Sequence, residues 1–266
     1  MAGFSFSDLD DCALAYEAGT RGVLEEILDA EFDSPGVLLE ACVTVLSWNA
    51  GDFSPRSGAP LVERFQRARN GRTSLSTLSK EADILFAPLR GVCSDDFSAF
   101  IFAIGIAAQN GMASVGTPDD AAKAVAGAIG ELVDNIRGHS GRAETGVIAG
   151  ARIPNGYEFV AADCGRGALA GYLENPEFAD LRDEGDALKL AVLDHVSRHG
   201  RNSGGGAGFQ TLLRVLSRLD ASVRIRSGDQ ALLLNGTAAQ RDCTLAQKAH
   251  LQGFVVCARI TLGNGC

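Results

Sequence analysis

Two segments carry the clearest structural patterns of the chain, TPDDAAKAVAGAIGELVDNIRGHS at residues 117–140 and GVIAGARIPNGYEFVAADCGRG at residues 146–167. In the first, apolar side chains recur every three or four residues, which predicts one long amphipathic helix. Thr117 offers a hydroxyl cap for this helix and Pro118 suits its first position. In the second, two short apolar runs flank Pro154-Asn155-Gly156, which predicts a β-hairpin. The expected apolar stripe of the helix consists of Ala122, Val125, Ala126, Ile129, Leu132, Val133 and Ile136.

After the hairpin the chain continues through a polar segment at residues 168–203, with one predicted helix near residues 186–197. A glycine-rich loop at residues 204–208 then leads into a further predicted helix, whose apolar face starts at Phe209. Short strands are expected after it at residues 221–226, 231–234 and 254–262. From residue 118 onward this order predicts an α+β fold, a two-layer sandwich in which helices cover one face of a mixed sheet.

The first part of the chain is predicted to be mainly helical. Apolar residues repeat at helical spacing within residues 23–28 and 38–46, and Ser34 and Pro35 would begin the second of these helices. Residues 49–60 are rich in proline and glycine and predict a loop, whereas residues 61–90 give no clear pattern.

We therefore expect two domains, a helical N-terminal region at residues 1–115 and a second unit at residues 116–266. The N-terminal region contains the longest apolar run of the chain, at residues 99–108, which must be covered by a core or by a partner. A role in homodimer formation or in binding a partner protein is the expectation for this region.

The composition limits the possible functions. The 266 residues carry a net charge of −9, which argues against a protein that coats nucleic acid by bulk charge. The apolar run at residues 99–108 is half as long as the roughly 20 residues that a membrane-spanning helix needs. The acidic N-terminus does not resemble a signal peptide, and the seven cysteines form no CxxC pair. We expect a cytoplasmic protein with reduced thiols that binds neither membrane nor bulk nucleic acid.

Glu131 and Asn135 lie four residues apart on the predicted long helix, so both side chains project from one face. The amide oxygen of Asn135 is a hard donor that suits Mg²⁺, and Glu131 could orient or deprotonate a water molecule. The alternative for this pair is a solvated helix edge.

Two glycine-containing motifs follow in the chain. Asp163, at the end of a predicted strand, can accept a hydrogen bond from an exocyclic amine such as that of adenine, and Gly165 and Gly167 let the backbone approach a flat ring. The glycines at residues 204–208 open a helix and offer backbone N–H groups to phosphate oxygens. Taken alone, these motifs also fit a tight turn and a flexible linker.

In this order the motifs resemble those of the ATP-binding domain shared by gyrase, heat-shock chaperones, histidine kinases and mismatch-repair ATPases, the GHKL superfamily with its Bergerat fold. ELVDNIRGHS (131–140) resembles the N box, DCGRG (163–167) the G1 box and GGGAGF (204–209) the G2 box. The resemblance covers roughly residues 118–262 and does not extend into residues 1–117.

The resemblance implies ATP and Mg²⁺ as ligands. By it, Asn135 would hold Mg²⁺, Asp163 would bind adenine, and Glu131 would serve as general base or support phosphoryl transfer. Close approach to the nucleotide would be permitted by the glycines of the two loops, which are Gly165, Gly167, Gly204, Gly206 and Gly208.

The expected activity is that of an ATP hydrolase or a protein-kinase-like regulatory switch. No histidine precedes the N box, so an upstream phosphoacceptor histidine on this chain is excluded. Kinases commonly carry a lysine three residues after the asparagine, where this chain has Gly138; Ile136 and Ala168 also depart from the usual pattern. A non-catalytic module that holds ATP without turnover is the alternative.

A second alternative is a dinucleotide-binding protein, because residues 165–170 (GRGALA) fit the GxGxxG/A fingerprint after a strand. That interpretation needs another parallel strand about 20 residues further on. The polar residues 180–186 (DLRDEGD) do not provide one.

The segment before the glycine loop holds several potential cations in an otherwise acidic chain. We expect Arg198 and Arg201 to contact the γ-phosphate of ATP from a lid that orders on binding. The alternative is a solvated helix end whose basic side chains complement the helix dipole.

Overall fold

A computed structural model of the chain describes residues 3–49, 52–71, 83–193, 196–198, 200, 207–219, 221–235 and 242–261. The described α-helices are α1 (Phe6–Glu17), α2 (Val23–Asp29), α3 (Pro35–Ser47), α4 (Pro60–Asn70), α5 (Phe97–Ser114), α6 (Asp119–His139), α7 (Gly167–Leu173), α8 (Glu184–Val192) and α9 (Ala207–Leu216). The described strands are β1 (Ile84–Pro88), β2 (Val147–Ile153), β3 (Gly156–Asp163), β4 (Ala221–Asn235) and β5 (Asp242–Thr261). Short 3₁₀ helices span Ala143–Thr145 and Pro176–Phe178.

The strands form one five-stranded sheet in the order β1-β2-β3-β5-β4. Every pair of these described strands is antiparallel, so the α+β class is confirmed but the expected mixed sheet is wrong. The three short strands predicted after residue 220 are two long ones, and β4 is continuous through register shifts around Gly228. A bulge lets one strand bend without ending, and no local sequence signal distinguishes this from a turn. The Bergerat type of the sandwich stays a prediction.

The long helix and the hairpin are both confirmed. The predicted apolar stripe of α6 is buried apart from the half-buried Ala126. Pro154 and Asn155 form the two-residue turn between β2 and β3, and Asn155 takes the left-handed conformation that asparagine tolerates. Gly156 has no room for a side chain, because a Cβ there would collide with the carbonyl oxygen of Ile260.

The predicted cap at Thr117 is wrong. Helix α6 begins at Asp119 with Pro118 as its N-cap, and no side chain caps it. Thr117 belongs to the turn that ends α5, where its N–H donates to the Met112 carbonyl at 3.1 Å. Its buried hydroxyl finds no hydrogen-bond partner in the described part of the chain.

Helices cover both faces of the sheet, so the described chain has three layers, whereas the predicted two-layer sandwich concerned only the part from residue 118 onward. Helices α5, α6, α8 and α9 pack on one face, and α1 to α4 pack on the other. The predicted N-terminal region also supplies the edge strand β1, which arises within the stretch that sequence patterns left unassigned. The division at residue 115 stays a prediction, but residues from both sides of it share both cores.

The predicted start of α3 is confirmed, and a buried carboxylate fixes it to the sheet. Ser34 caps the helix and Pro35 occupies its first turn. Glu158 of β3 is fully buried and accepts hydrogen bonds from the Ser34 hydroxyl at 2.6 Å and from the Gly36 N–H at 2.8 Å. Its other oxygen pairs with Arg259 at 2.8 Å. A negative charge at a helix N-terminus is favoured by the helix dipole, so Glu158 holds α3 in place across the sheet.

A second buried charge cluster joins the N-terminal helices to β4. Glu40 of α3 accepts hydrogen bonds from Arg224 at 2.8 and 2.9 Å and from Arg226 at 3.1 Å. Asp10 of α1 completes the cluster, 2.7 Å from Arg224 and 2.7 Å from Lys248.

Helix α5 contains the apolar run at residues 99–108. At 18 residues it is long and apolar enough to cross a membrane by length and composition, with 44% of it buried within the structure. Core helices of soluble proteins have the same properties, so this single helix is weak evidence for a membrane span. The cytoplasmic location stays a prediction.

We expect Glu40→Ala to lower the free energy of unfolding by about 3–5 kcal/mol, because it leaves two buried arginines without their main partner. Glu63→Ala is the matched control, since Glu63 pairs with Arg67 on an exposed helix surface, where such pairs contribute less than about 1 kcal/mol. Urea denaturation measures both values. Equal losses for the two variants would contradict the importance of the buried cluster.

Candidate functional site

A cavity of about 360 Å³ lies between α6, the C-terminal end of β3 with the middle part of β5 that pairs with it, and the segment from α7 to residue 198. The predicted site residues that line it are Glu131, Asn135, Asp163, Gly167 and Arg198. They come from a helix, a strand end, a turn and the segment expected to act as a lid. The structure therefore brings together residues that lie up to 67 positions apart in the sequence.

Glu131 and Asn135 lie one turn apart on α6 and face the same cavity, as their spacing predicted. Glu131 is exposed at the edge of the cavity, and Asn135 is half-buried. Neither side chain makes a hydrogen bond to another described residue, so both are available to a ligand. Within the described residues, no group of three or more His, Cys, Asp or Glu side chains could hold a metal ion.

Asp163 ends β3, and the alternation along this strand directs its side chain to the same face as Phe159 and Ala161. The carboxylate is 4% exposed and its Oδ1 accepts a hydrogen bond from the Gly165 N–H at 2.8 Å. No other described residue donates to it. Burial raises the pKa of Asp163 to about 6, although the Gly165 hydrogen bond opposes that rise. The result is a desolvated acceptor that faces the cavity.

The two glycines after Asp163 are needed for different reasons. A Cβ on Gly165 would collide with the Ser140 carbonyl oxygen at the end of α6, so this glycine lets the turn approach the helix. Gly167 has a φ of +79°, which only glycine adopts without strain, and it begins α7. The next N–H, of Ala168, donates to the buried Ser227 hydroxyl at 2.8 Å. Gly165 does not itself line the cavity, whereas Gly167 does.

Arg198 lies over the C-terminal end of α6. Its guanidinium donates to Glu174 at 3.1 Å and to the Gly138 carbonyl at 3.3 Å. Glu174 also pairs with Arg166 of the turn after Asp163, so one carboxylate joins two arginines. Burial and the nearby Arg166 lower the pKa of Arg198, and its buried Nε has no hydrogen-bond partner among the described residues.

The segment expected to act as a lid has its own small core. Tyr172 packs edge-on against Phe178 and donates its hydroxyl hydrogen to the Val196 carbonyl. Asn175 donates to the Arg198 carbonyl at 3.0 Å. These contacts hold the chain around Arg198 against α7 in this structure.

Three of the predicted residues, Gly204, Gly206 and Arg201, lie outside the described residues. Gly208 is in the first turn of α9.

Several cavity residues were missed by sequence reasoning. His139 continues the spacing of Glu131 and Asn135 along α6, and that signal could have identified it. Phe254 of β5 pairs directly with Asp163 across the sheet, and Tyr172 comes from α7. These last two depend on strand pairing and helix packing, which local patterns do not reveal.

A scan against protein-family models finds no match, and searches of curated proteins and of solved structures find no significant one. The function is therefore inferred from the residues and their geometry.

The raised pKa of Asp163 predicts a pH-dependent stability. Between its ordinary value of 3.8 and about 6, the unfolded chain has lost this proton while the folded chain keeps it. The free energy of unfolding therefore falls as the pH rises through this window. Asp163→Asn removes the titration, so the variant without ligand should gain stability relative to wild type from about pH 4 to about pH 7, on the order of 2–3 kcal/mol.

Urea denaturation of both proteins across this range checks the expectation. A stability difference that stays constant with pH would show that burial does not disfavour the charged form of Asp163.

Proposed function

We propose that the protein binds Mg-ATP in the cavity beside α6 and acts as an ATP hydrolase or a protein-kinase-like regulatory switch. The observation that carries the proposal is the meeting of Glu131, Asn135, Asp163, Gly167 and Arg198 around one cavity. Taken separately, the motifs could be a solvated helix edge, a simple turn and a helix end. These alternatives do not explain why the residues lie around one cavity.

The base-binding end of the cavity fits a purine with an exocyclic amine. Asp163 offers an acceptor that no other described residue uses, in walls formed by apolar side chains such as Ala161 and Val256. A donated N–H would replace the water that burial has removed from this carboxylate, and hydrogen bonds to charged groups are among the stronger ones. Adenine carries such an amine, which supports ATP as the ligand.

The other end of the proposed site suits a metal-bound phosphate chain. Mg²⁺ prefers oxygen ligands and is usually held by few protein groups together with water and substrate phosphates. Asn135 supplies one such oxygen at the wall of the cavity. Bound Mg²⁺ would neutralise charge on the phosphates.

Glu131 lies at the open edge of the cavity, one helical turn before Asn135 on α6. An exposed carboxylate at this place can accept a proton from a water molecule or from an acceptor hydroxyl that enters from solvent. Both hydrolysis and transfer to a partner are compatible with this position, and a partner would have to supply any phosphoacceptor group.

Arg198 supports phosphate binding from a segment other than α6. The lysine that kinases commonly carry is replaced by Gly138, yet Arg198 reaches the Gly138 carbonyl from another segment. It therefore brings a cation to the same turn of α6. Its Nε donor has no partner among the described residues and is available to a phosphate oxygen.

The dinucleotide alternative needs a parallel strand pair joined by a helix. All pairs among the described strands are antiparallel, and residues 180–186 contain a bend and the start of α8. This arrangement favours the ATP proposal.

Asp163→Asn should weaken ATP binding by about 1.5–3 kcal/mol, because it replaces a charged acceptor with a neutral one. Isothermal titration at about pH 7 measures the change. The matched control is Asp180→Asn, which neutralises a fully exposed carboxylate that does not line the cavity and should leave affinity unchanged. A folded wild-type protein that binds neither ATP nor ADP at millimolar concentration would refute the proposal.

Glu131 and Asn135 should have separable roles. Asn135→Ala should abolish the Mg²⁺ dependence of ATP binding, whereas Glu131→Ala should bind ATP normally and lose about 100- to 10,000-fold in turnover. Asp134→Ala is the control, since Asp134 is exposed on α6 and does not line the cavity. Phosphate release and transfer assays measure turnover.

Equal turnover in wild type and Glu131→Ala would assign Glu131 to a solvated helix edge. ATP binding without turnover in wild type would instead identify a non-catalytic, nucleotide-gated module.

A further inference from the structure

A second cavity, which we call the back cavity, lies on the opposite side of the turn that follows Asp163. Its volume is about 480 Å³, and Cys164 forms part of its wall. Because neighbouring residues of an extended strand point to opposite faces, Asp163 faces the first cavity and Cys164 faces the back cavity. Ser47 and Asn49, at the end of α3, form another part of the wall. The back cavity therefore joins the N-terminal helices to the proposed nucleotide site.

The side chains that line the back cavity also hold the turn in place. Thr145 accepts a hydrogen bond from the Cys164 N–H at 3.0 Å, and Arg142 donates to the Cys164 carbonyl at 3.3 Å. Gln252 donates to the Gly165 carbonyl at 2.7 Å. Its own N–H donates to the Ser47 hydroxyl at 2.7 Å, which extends the chain of contacts to α3. A ligand that changes these contacts would act on the two peptide units directly after Asp163.

The chemistry of the back cavity favours an anion. None of its described lining residues is a carboxylate, although the chain carries a net charge of −9. Arg142 is always charged and has donors beyond the one that contacts Cys164. The side chains of His250 and Asn49 also line the cavity and make no hydrogen bond to another described residue. Glu144 lies 3.8 Å from Arg142, but both side chains are more than half exposed and such pairs are weak.

We propose that the back cavity binds a small organic carboxylate and that this ligand weakens nucleotide binding in the first cavity. A carboxylate competes with the Cys164 carbonyl for the Arg142 guanidinium, because charge-assisted pairs with arginine are stronger than bonds to a neutral carbonyl. The turn that positions Asp163 then loses one of its supports. The binding site stands on the back cavity alone, whereas its effect on ATP rests on the proposed function.

Succinate is the probe, with the neutral diamide succinamide as its matched control. Isothermal titration of the full chain without nucleotide should show saturable succinate binding and no succinamide binding, at constant ionic strength. Arg142→Gln should lose succinate binding by at least about tenfold, the loss expected when one arginine–carboxylate pair is removed. Arg152→Gln is the control variant, because Arg152 is similarly exposed and lies outside the back cavity.

Asn49→Asp gives a second variant that keeps Arg142 and its contact with the turn. It places a negative charge in the back cavity, so it should also lose succinate binding. Equal succinate binding by wild type, Arg142→Gln and Asn49→Asp, or no saturable binding by wild type, would overturn the proposed site.

The coupling is tested by titrating Mg-ATP with and without saturating succinate. We expect succinate to weaken ATP binding by about fivefold or more, and ATP to weaken succinate binding by the same factor. Unchanged ATP affinity in succinate-bound protein would overturn the coupling. Succinate binding by a protein that binds no ATP would confirm the back-cavity site and refute the proposed function instead.

Discussion

Strand β3 is buried along all eight of its residues, and this constraint organises the molecule. A strand covered on both faces must find partners for its polar side chains on each side. On one face Glu158 accepts hydrogen bonds from the first residues of α3 and pairs with Arg259, which fixes the N-terminal helices. On the other face Asp163 remains at the end of the strand with one N–H donor, from Gly165. The same alternation therefore creates a structural carboxylate, Glu158, and the carboxylate of the proposed nucleotide site, Asp163, five residues apart.

Local sequence patterns predicted the elements that carry the candidate site, but not how they pair. Helix α6 and the β2–β3 hairpin follow from periodicity and a two-residue turn, so Glu131, Asn135 and Asp163 could be placed in advance. The antiparallel sheet could not be predicted from local patterns, because β3 pairs with β5 about 100 residues later and β1 has only five residues. Phe254 and Tyr172 were missed for the same reason. Thr117 shows a different limit of local sequence patterns. It is a good capping residue for α6, but it lies in the turn that ends α5.

Charge placement links the two halves of the chain to the proposed nucleotide site. Glu174 holds Arg166 and Arg198 together above the end of α6, on the side of the first cavity. Arg142 and Gln252 hold the turn after Asp163 from behind, and Gln252 also contacts α3. The N-terminal helices thus reach the site through hydrogen bonds to one turn. This connection gives those helices a route by which they can influence ligand binding.

The proposed function requires that one ligand, Mg-ATP, contacts α6 and the turn after Asp163 at the same time. Titration of the isotope-labelled full chain with Mg-ATP, followed by amide NMR, tests it most directly. We expect saturable shifts at the Asn135 side-chain amide and at the N–H groups of Gly165 and Gly167, with one common dissociation constant. Shifts confined to residues away from this cavity, or no shifts at millimolar Mg-ATP, would contradict it.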